Sequence, residues 1–252
     1  SNHHDYFVPP VYDLLNPDGY FKEEEERISA LNQEIVSMES ESSFMLLQTR
    51  LAELKDEQKN TIKIHEEQYK KEKLRRAELR NSGKLSEEEL GKLNKQSQFE
   101  KAELKRQKKK FQQEIDAQEE LIRLRQQDIQ RLKDERKTRS AALQKWIFRQ
   151  FRMRNAQGEV KDLSKIFAST PQGVPPAGSG ECAAPKLLQY AYLHDLHPVA
   201  MAEFWWGDSP KGEIRHHGYF YPSCKSKCEP ILNFMMLGLE VEPNPLLSSN
   251  ND

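Results

Sequence analysis

The fold depends on the stretch NSGKLSEEE, residues 81–89, which interrupts a long segment that is otherwise typical of helix. Residues 20–154 contain no proline, so no residue in that segment removes a helical hydrogen bond. Gly83 adopts a positive φ at low cost and can end a helix. Ser86 followed by Glu89 is a capping box, which starts a new helix. The stretch therefore predicts two helical segments joined by a tight turn.

Apolar residues recur at steps of three and four on both sides of this turn, as they do in a coiled coil. The first series is Ile28, Leu31, Ile35, Met38, Phe44, Leu47, Leu51 and Leu54. The second is Phe111, Ile115, Ile122, Ile129, Leu132, Leu143, Trp146 and Ile147. The step from Met38 to Phe44 is out of phase, so the heptad slips there.

These series predict a mainly α protein in which residues 20–155 form a long antiparallel coiled-coil hairpin with its tip near residues 81–86. The first helical segment is expected to be one helix, and so is the second. Pairing of these helices with a second copy of the chain, as a homodimer, is the alternative.

The second helical segment is the basic one, since residues 101–154 carry about twice as many Lys and Arg as Asp and Glu. Its densest part, which we call the basic cluster, consists of Lys105, Arg106, Lys108, Lys109 and Lys110. A basic stripe on a helix suits RNA phosphates, whose counterions it releases. Coiled coils also carry charges on their outer faces that pair with the partner helix. Both interpretations stay open at this point.

The segments on either side of the hairpin differ from it in composition. Residues 1–19 are predicted to be extended because Pro9 and Pro10 exclude helix, and they are expected to lie across the base of the hairpin. The apolar run WIFRQFRM, residues 146–153, is expected to pack against the C-terminal part of the chain. Residues 156–180 are rich in Pro and Gly and predict a linker.

A small α+β module is predicted over residues 181–240. Its helices are expected near residues 185–194 and 223–237, and its strands near residues 199–206 and 214–221. Residues 241–252 form a polar run that we expect to be a linker into a catalytic domain.

Several classes of protein are excluded by what the sequence lacks. No stretch approaches the roughly 20 apolar residues that span a bilayer, and no signal peptide is evident. There is no phosphate-binding loop, dinucleotide fingerprint or nucleophile elbow. The three cysteines are an odd number, which rules out a complete disulfide framework and favours a reducing, cytoplasmic setting.

The three cysteines Cys182, Cys224 and Cys228 all fall in the predicted module, each near the start of a predicted helix. Helix N-termini stabilise thiolates, and three thiolates are a plausible ligand set for structural zinc. The candidates for a fourth ligand are His194, His197, His216 and His217. Buried thiols without metal are the alternative.

This arrangement of cysteines resembles that of the zinc nucleoside deaminases, in which a His-or-Cys-x-Glu motif opens one helix and Cys-x-x-Cys opens the next. The resemblance is incomplete, because Ala184 stands where the general acid/base glutamate is expected and the second pair is spaced Cys-x-x-x-Cys. A degenerate, deaminase-like module is therefore one hypothesis for residues 181–240.

Aromatic side chains are the other conspicuous feature of the module. Trp205, Trp206 and the run Tyr219-Phe220-Tyr221 are expected to form its core. Alternation along a strand places the two tryptophans on opposite faces, so one of them is expected to be less buried. Arg215 lies beside these aromatics in the sequence and is a candidate for RNA contact.

Three longer sequence segments resemble those of a known family: GSGECAAPKLLQY at residues 178–190, MAEFWWG at 201–207 and YPSCKSKCEPI at 221–231. They resemble the auxiliary region of long bacterial pseudouridine synthases of the RluA type, which isomerise uridine to pseudouridine in ribosomal or transfer RNA. The family's catalytic Arg-x-Leu-Asp motif is absent from this chain, so no residue here is assigned to catalysis.

The resemblance implies an accessory region that recognises and positions RNA for a catalytic domain of the same polypeptide. The family's chemistry requires no cofactor. A structural coiled-coil module for dimerisation or protein interaction is the alternative function.

Overall fold

The computed structural model describes residues 7–246 and is mainly helical. In chain order its elements are α1 (Tyr20–Ser40), α2 (Ser42–Asn81), α3 (Glu87–Gln150), β1 (Arg152–Arg154), β2 (Val160–Asp162), α4 (Leu163–Phe167), α5 (Ala183–Leu193) and α6 (Cys228–Met235). The chain divides into two compact units. We call residues 29–136 the helical unit, and residues 1–28 together with 137–252 the mixed unit.

The predicted turn between the two long helical segments is confirmed. Helix α2 ends at Asn81, and Gly83 has a φ of +65°. The capping box forms as expected: the backbone N and Oγ of Ser86 donate to the Glu89 carboxylate at 2.8 and 2.9 Å, and the Glu89 backbone N donates to Ser86 Oγ at 3.3 Å. These bonds satisfy backbone donors at the start of α3 that have no partner within the helix.

The expectation of a single first helix is wrong, because that segment is two helices separated at Glu41. This residue has φ −62° and ψ 126°, which is extended backbone. Its carbonyl accepts from the backbone N of Phe44 at 3.0 Å and of Met45 at 3.2 Å, so α2 begins with these bonds satisfied. The break falls between Met38 and Phe44, where the apolar series slips out of phase.

In the helical unit, α3 is in contact with residues of α1 and α2 that are distant in the sequence. The buried apolar cluster consists of Ile35, Phe44, Ile122, Ile129 and Leu132. The ion pairs that join the same segments are Glu39–Lys133, Lys55–Glu119, Glu66–Lys108 and Arg76–Glu100. As the residue number of the partner in α1 or α2 increases, the residue number of its partner in α3 decreases.

One of these ion pairs is buried. The side chain of Arg76 is 2% exposed, and its Nη1 lies 2.6 Å from Glu100 Oε2. The guanidinium also lies 6.0 Å from the Tyr69 ring centroid. A charge taken out of water is tolerated only with a close partner, so this pair fixes the position of α2 against α3 locally.

The mixed unit has its own apolar core, formed by α4, α5, α6 and the end of α3. Its most buried large side chains are Phe151, Met153, Leu163, Phe167, Ile231 and Met235, each at most 1% exposed. The prediction that residues 146–153 pack on the C-terminal part of the chain is therefore confirmed. Strands β1 and β2 pair antiparallel, with Met153 opposite Lys161.

The described part of the N-terminal segment also packs on this core, as predicted. The Tyr12 ring lies 5.7 Å from Trp146 and 6.3 Å from Phe151, and the Tyr20 ring lies 4.8 Å from Trp146. Residues 1–6 of the predicted extended segment, and 247–252 of the predicted C-terminal linker, lie outside the described residues.

Two predictions about the mixed unit are wrong. The supposed linker at 156–180 contains β2 and α4, because the run LSKIF buries its apolar side chains and Asp162 caps the helix by accepting from the Lys165 backbone N at 2.9 Å. The strands expected near 199–206 and 214–221 are reduced to one bridge between Phe204 and Phe220. The β-strands of this unit lie before residue 181.

Gly180 occupies a position where any side chain would be strained and would press on the core. Its φ is +87°, and an added Cβ would lie 2.7 Å from Met153 Cε and 2.9 Å from Phe151 Cδ1, both in the core. Gly173 has a similar φ of +67°, but an added Cβ there meets nothing within 4 Å. Substitution of Gly173 would therefore introduce backbone strain alone, whereas substitution of Gly180 would add steric overlap with the core.

We expect Gly180→Ala to lower the free energy of unfolding by about 2 kcal/mol or more, because it combines a strained φ with overpacking of the core. Gly173→Ala is the matched control and should cost about 1 kcal/mol, since only the strain applies. Urea unfolding monitored by tryptophan fluorescence measures both. Equal losses for the two variants would contradict the assignment of Gly180 to a close approach.

Candidate functional site

The three cysteines, which we call the thiol cluster, are brought together by the ends of two helices. Cys182 is the N-cap residue of α5, and Cys228 is the first residue of α6. The Cys228 Sγ donates to Cys182 Sγ at 3.1 Å, and the Cys228 backbone N donates to Cys224 Sγ at 3.4 Å. All three are free thiols.

The start of α6 differs from the prediction. The helix begins at Cys228 and not near Ser223, so Cys224 precedes it. The reason is the turn made by residues 224–228, in which the Cys224 carbonyl accepts from the backbone N of Cys228 at 3.1 Å and of Glu229 at 3.0 Å. This turn places the Cys224 sulfur beside the Cys228 backbone.

The close contact between Cys182 and Cys228 lowers the pKa of the first thiol and raises the pKa of the second. The hydrogen bond from Cys228 is the main cause that lowers the pKa of Cys182 to about 6. Lys227 and Lys186 also lower this pKa, whereas burial of the thiol raises it. The pKa of Cys228 is raised by the same hydrogen bond, by burial and by Cys224. The hydrogen bond from the Cys228 thiol therefore favours the thiolate form of Cys182 over that of Cys228.

The fit of this cluster to zinc can be judged from its chemistry and its spacing. Thiolates are preferred zinc ligands, and two of them on a tetrahedral zinc with bonds of ~2.3 Å lie about 3.8 Å apart. The Cys182 and Cys228 sulfurs are closer, at 3.1 Å. Within residues 7–246, no group of three or more His, Cys, Asp or Glu side chains is arranged to hold a metal ion. Zinc binding therefore stays a prediction, and it requires the sulfurs to move apart.

Most of the histidines suggested as a fourth ligand make other contacts. The His194 ring Nδ1 lies 2.8 Å from the Tyr190 carbonyl oxygen. His217 Nδ1 accepts from the Gly207 backbone N at 3.0 Å, and the His216 ring lies 5.4 Å from that of Tyr219. His197 is exposed.

The position of Ala184 bears on the deaminase comparison. Ala184 is 1% exposed and belongs to the apolar core of the mixed unit. A carboxylate there would be buried without a partner, which the packing disfavours. Glu181 is exposed, and Glu229 lies in the first turn of α6.

The basic cluster in the helical unit is exposed at all five positions. Arg106 pairs with Glu103 at 3.1 Å, Lys108 with Glu66 at 2.6 Å and Lys110 with Glu114 at 3.9 Å. Lys105 and Lys109 have no carboxylate within 4.0 Å in the part of the chain that the structure describes. The cluster therefore combines pairing across the helices with unpaired cations.

Arg215, the other candidate for RNA contact, is held within its own loop. Its guanidinium lies 5.0 Å from the Tyr221 ring centroid and 5.5 Å from that of Trp205, and it bonds the Glu213 carboxylate at 3.0 Å. The side chain is 20% exposed. Its contacts are those of a residue that stabilises the loop, and its role toward RNA stays a prediction.

The expectation that the aromatic residues form a core is wrong. The side chains that are more than half exposed are Phe204, Trp206, Tyr219 and Phe220. The core is supplied by the helices and by the end of α3, and it leaves residues 203–221 on the surface. Trp205 is less exposed than Trp206, in agreement with the predicted alternation.

A cavity of about 640 Å³ in the mixed unit was not predicted from the sequence. Three lysines line it, Lys161 from β2, Lys165 from α4 and Lys225 from the turn before α6. They come from segments separated by more than sixty residues, since Lys161 and Lys225 are 64 positions apart, and none belongs to a run of basic residues. No sequence pattern signals such a cavity, since only the packing of α4 against α6 brings its walls together.

No family model, curated protein or solved structure matches this chain. Across residues 7–246, every helix is too short or too polar to cross a membrane.

We expect Cys182 to be the fastest thiol to alkylate in metal-free protein, with a rate that rises with pH around a midpoint near pH 6 because the thiolate is the nucleophile. Cys228→Ala removes the hydrogen bond that lowers this pKa, so the midpoint should move toward the ordinary value of 9.0. Iodoacetamide labelling followed by peptide mass spectrometry measures the profile. Cys224→Ala is the control and should leave the midpoint near 6; an unchanged midpoint in Cys228→Ala would refute the assignment.

Proposed function

We propose that this chain is an RNA-recognition and positioning region of a pseudouridine synthase, which isomerises uridine to pseudouridine in ribosomal or transfer RNA. The observation that carries the proposal is the basic cluster on α3, where all five cations are exposed and two of them are unpaired in the described chain. In this proposal the isomerisation takes place in a catalytic domain of the same polypeptide. The setting is cytoplasmic, in keeping with three free thiols.

The proposal includes an antiparallel coiled-coil hairpin over the long helices. Two observations support it in the helical unit. The apolar cluster joins Ile35 and Phe44 to Ile122 and Ile129, and the ion pairs run in opposite sequence order from Glu39–Lys133 to Arg76–Glu100. Both are the contacts that an antiparallel pair of helices makes along its length.

RNA suits this surface for electrostatic reasons. An RNA strand carries cations condensed on its phosphates, and each ammonium or guanidinium group that pairs with a phosphate releases such a cation to the solvent with a gain of entropy. Such pairing does not require a particular base. The basic cluster is therefore suited to holding RNA in place, while sequence selection would come from elsewhere.

The family resemblance supports the same proposal from the mixed unit. The first similar segment, residues 178–190, includes Cys182 and most of α5, and the second, residues 201–207, includes the exposed Trp206. The third, residues 221–231, includes Cys224, Cys228 and the start of α6. These three sequence segments therefore include the thiol cluster and part of residues 203–221, which we call the aromatic loop.

A structural role as a dimerisation or protein-interaction arm is the second candidate. It is favoured by large apolar side chains that remain exposed on the helical unit: Val36, Met45, Leu46, Ile64, Leu74 and Phe99. Exposed apolar residues along a helix are typical of a surface that another helix covers. Light scattering over a range of concentrations tests the dimerisation form of this candidate, which requires a mass that rises with concentration.

We expect simultaneous Lys108→Glu, Lys109→Glu and Lys110→Glu to weaken RNA binding by at least about tenfold and to reduce its dependence on salt, because phosphate contacts are lost. The control is Lys59→Glu, Lys63→Glu and Lys71→Glu, which changes the charge of exposed α2 positions by the same amount. Fluorescence anisotropy with a structured ribosomal RNA fragment at several salt concentrations measures both. If the two triple variants bind equally, the basic cluster is not the RNA contact.

Structural zinc on Cys182, Cys224 and Cys228 is part of the proposal for the mixed unit. We expect protein purified without chelator to carry about one zinc per chain and to have all three thiols protected from alkylation until the metal is removed. Elemental analysis read together with thiol titration tests this. Metal-free protein with freely reactive thiols would leave the cluster as a thiolate–thiol pair.

A further inference from the structure

The cavity in the mixed unit has walls of two chemical kinds. Its charged residues are Lys161, Lys165 and Lys225, and Glu229 is the one acidic residue of the lining. Its apolar residues include Ile166, Phe234 and Leu237. The lining also contains the uncharged polar side chains of Ser169, Thr170, Gln172 and Asn233. We call this the lysine cavity.

The three lysines are only partly neutralised. Lys161 Nζ lies 3.0 Å from Glu159 and 5.0 Å from the centroid of the Phe234 ring, so its position is fixed by two contacts. Lys165 Nζ is 3.9 Å from Asp162, at the limit of an ion pair, and Asp162 already caps α4. Lys225 has no carboxylate within 4.0 Å among the described residues. The lining itself holds three ammonium groups and the one carboxylate of Glu229, and Lys225 is the lysine with no carboxylate partner among the described residues.

The uncharged groups around the lysines are suited to an anion with several acceptor oxygens. The Thr170 hydroxyl donates its one proton to the Phe167 carbonyl at 2.7 Å, so the donors open to an anion are those of other residues of the lining. The side chains of Ser169, Gln172 and Asn233 are exposed, and each can donate a hydrogen bond. A phosphate accepts several such bonds while it pairs with ammonium groups, whereas a carboxylate has fewer acceptor positions.

We propose that the lysine cavity binds phosphate groups, and that in this protein they belong to the backbone of the RNA. The assignment of RNA as the source rests on the proposed function; the phosphate chemistry rests on the cavity itself. A cavity of about 640 Å³ lies in the range of pre-formed ligand sites and accepts a nucleotide-sized group. In this proposal the lysines pair with the phosphate, and the apolar residues of the lining are available to the ribose and base.

The test uses the full chain and a cavity variant with Lys161→Gln, Lys165→Gln and Lys225→Gln. The matched control is Lys137→Gln, Lys145→Gln and Lys211→Gln, which removes the same charge from exposed positions of the mixed unit outside the cavity. Two probes are titrated into each protein: a structured ribosomal RNA fragment, followed by anisotropy, and inorganic pyrophosphate, followed by calorimetry. Circular dichroism verifies that all three proteins retain their helix content.

We expect the cavity variant to lose about tenfold or more in affinity for both probes, with a salt dependence for RNA that is shallower by about 2 in logarithmic slope, and the control to bind as the unchanged protein does. Loss of pyrophosphate binding with unchanged RNA binding would assign the cavity to a free phosphorylated molecule and overturn the RNA source. Equal binding of both probes by the cavity variant and the control would overturn the site.

A failure of the proposed function gives a different result. If the unchanged protein does not bind the RNA fragment at all, the RNA role fails, and with it the RNA source of the phosphate. The pyrophosphate titration then decides by itself whether the cavity is a phosphate site.

Discussion

The mixed unit depends on the burial of one short helix. Helix α6 has only eight residues, and a helix of that length is not stable alone in water. It is held because Ile231 and Met235 are fully buried against α4, α5 and β1. The same helix places Cys228 against Cys182 and contributes Asn233 and Phe234 to the lining of the lysine cavity.

Two neighbouring sites of different chemistry follow from this one contact. On the N-terminal side of α6, the Cys228 thiol stabilises the Cys182 thiolate, and Lys227 adds to the effect. Lysines from β2, α4 and the turn before α6 line a partly apolar cavity. Gly180 matters to the placement of Cys182, because its missing side chain lets the loop before α5 lie directly on Phe151 and Met153.

The basic cluster of the helical unit contains both paired and unpaired lysines. Lys108 is bonded to Glu66 across the helices, while Lys105 and Lys109 have no carboxylate within 4.0 Å among the described residues. Exposed ion pairs contribute little to stability, so under the proposed function an RNA phosphate would compete for Lys108 at small energetic cost.

Local signals in the sequence determined the helices of this protein, the turn at Gly83 with its Ser86 capping box, the slip near Glu41 and the placing of two cysteines at helix starts. Such features depend on residues a few positions apart, so the sequence displays them directly. Only the tertiary structure decided which residues are buried and which meet. In the structure the aromatic loop lies on the surface, and the segment expected to be a linker contributes buried residues to the core. The Cys182 and Cys228 sulfurs lie 3.1 Å apart, and three lysines that are distant in the sequence line one cavity. These outcomes depend on packing between distant segments, where the gain from burying α4 and α6 outweighs any local preference.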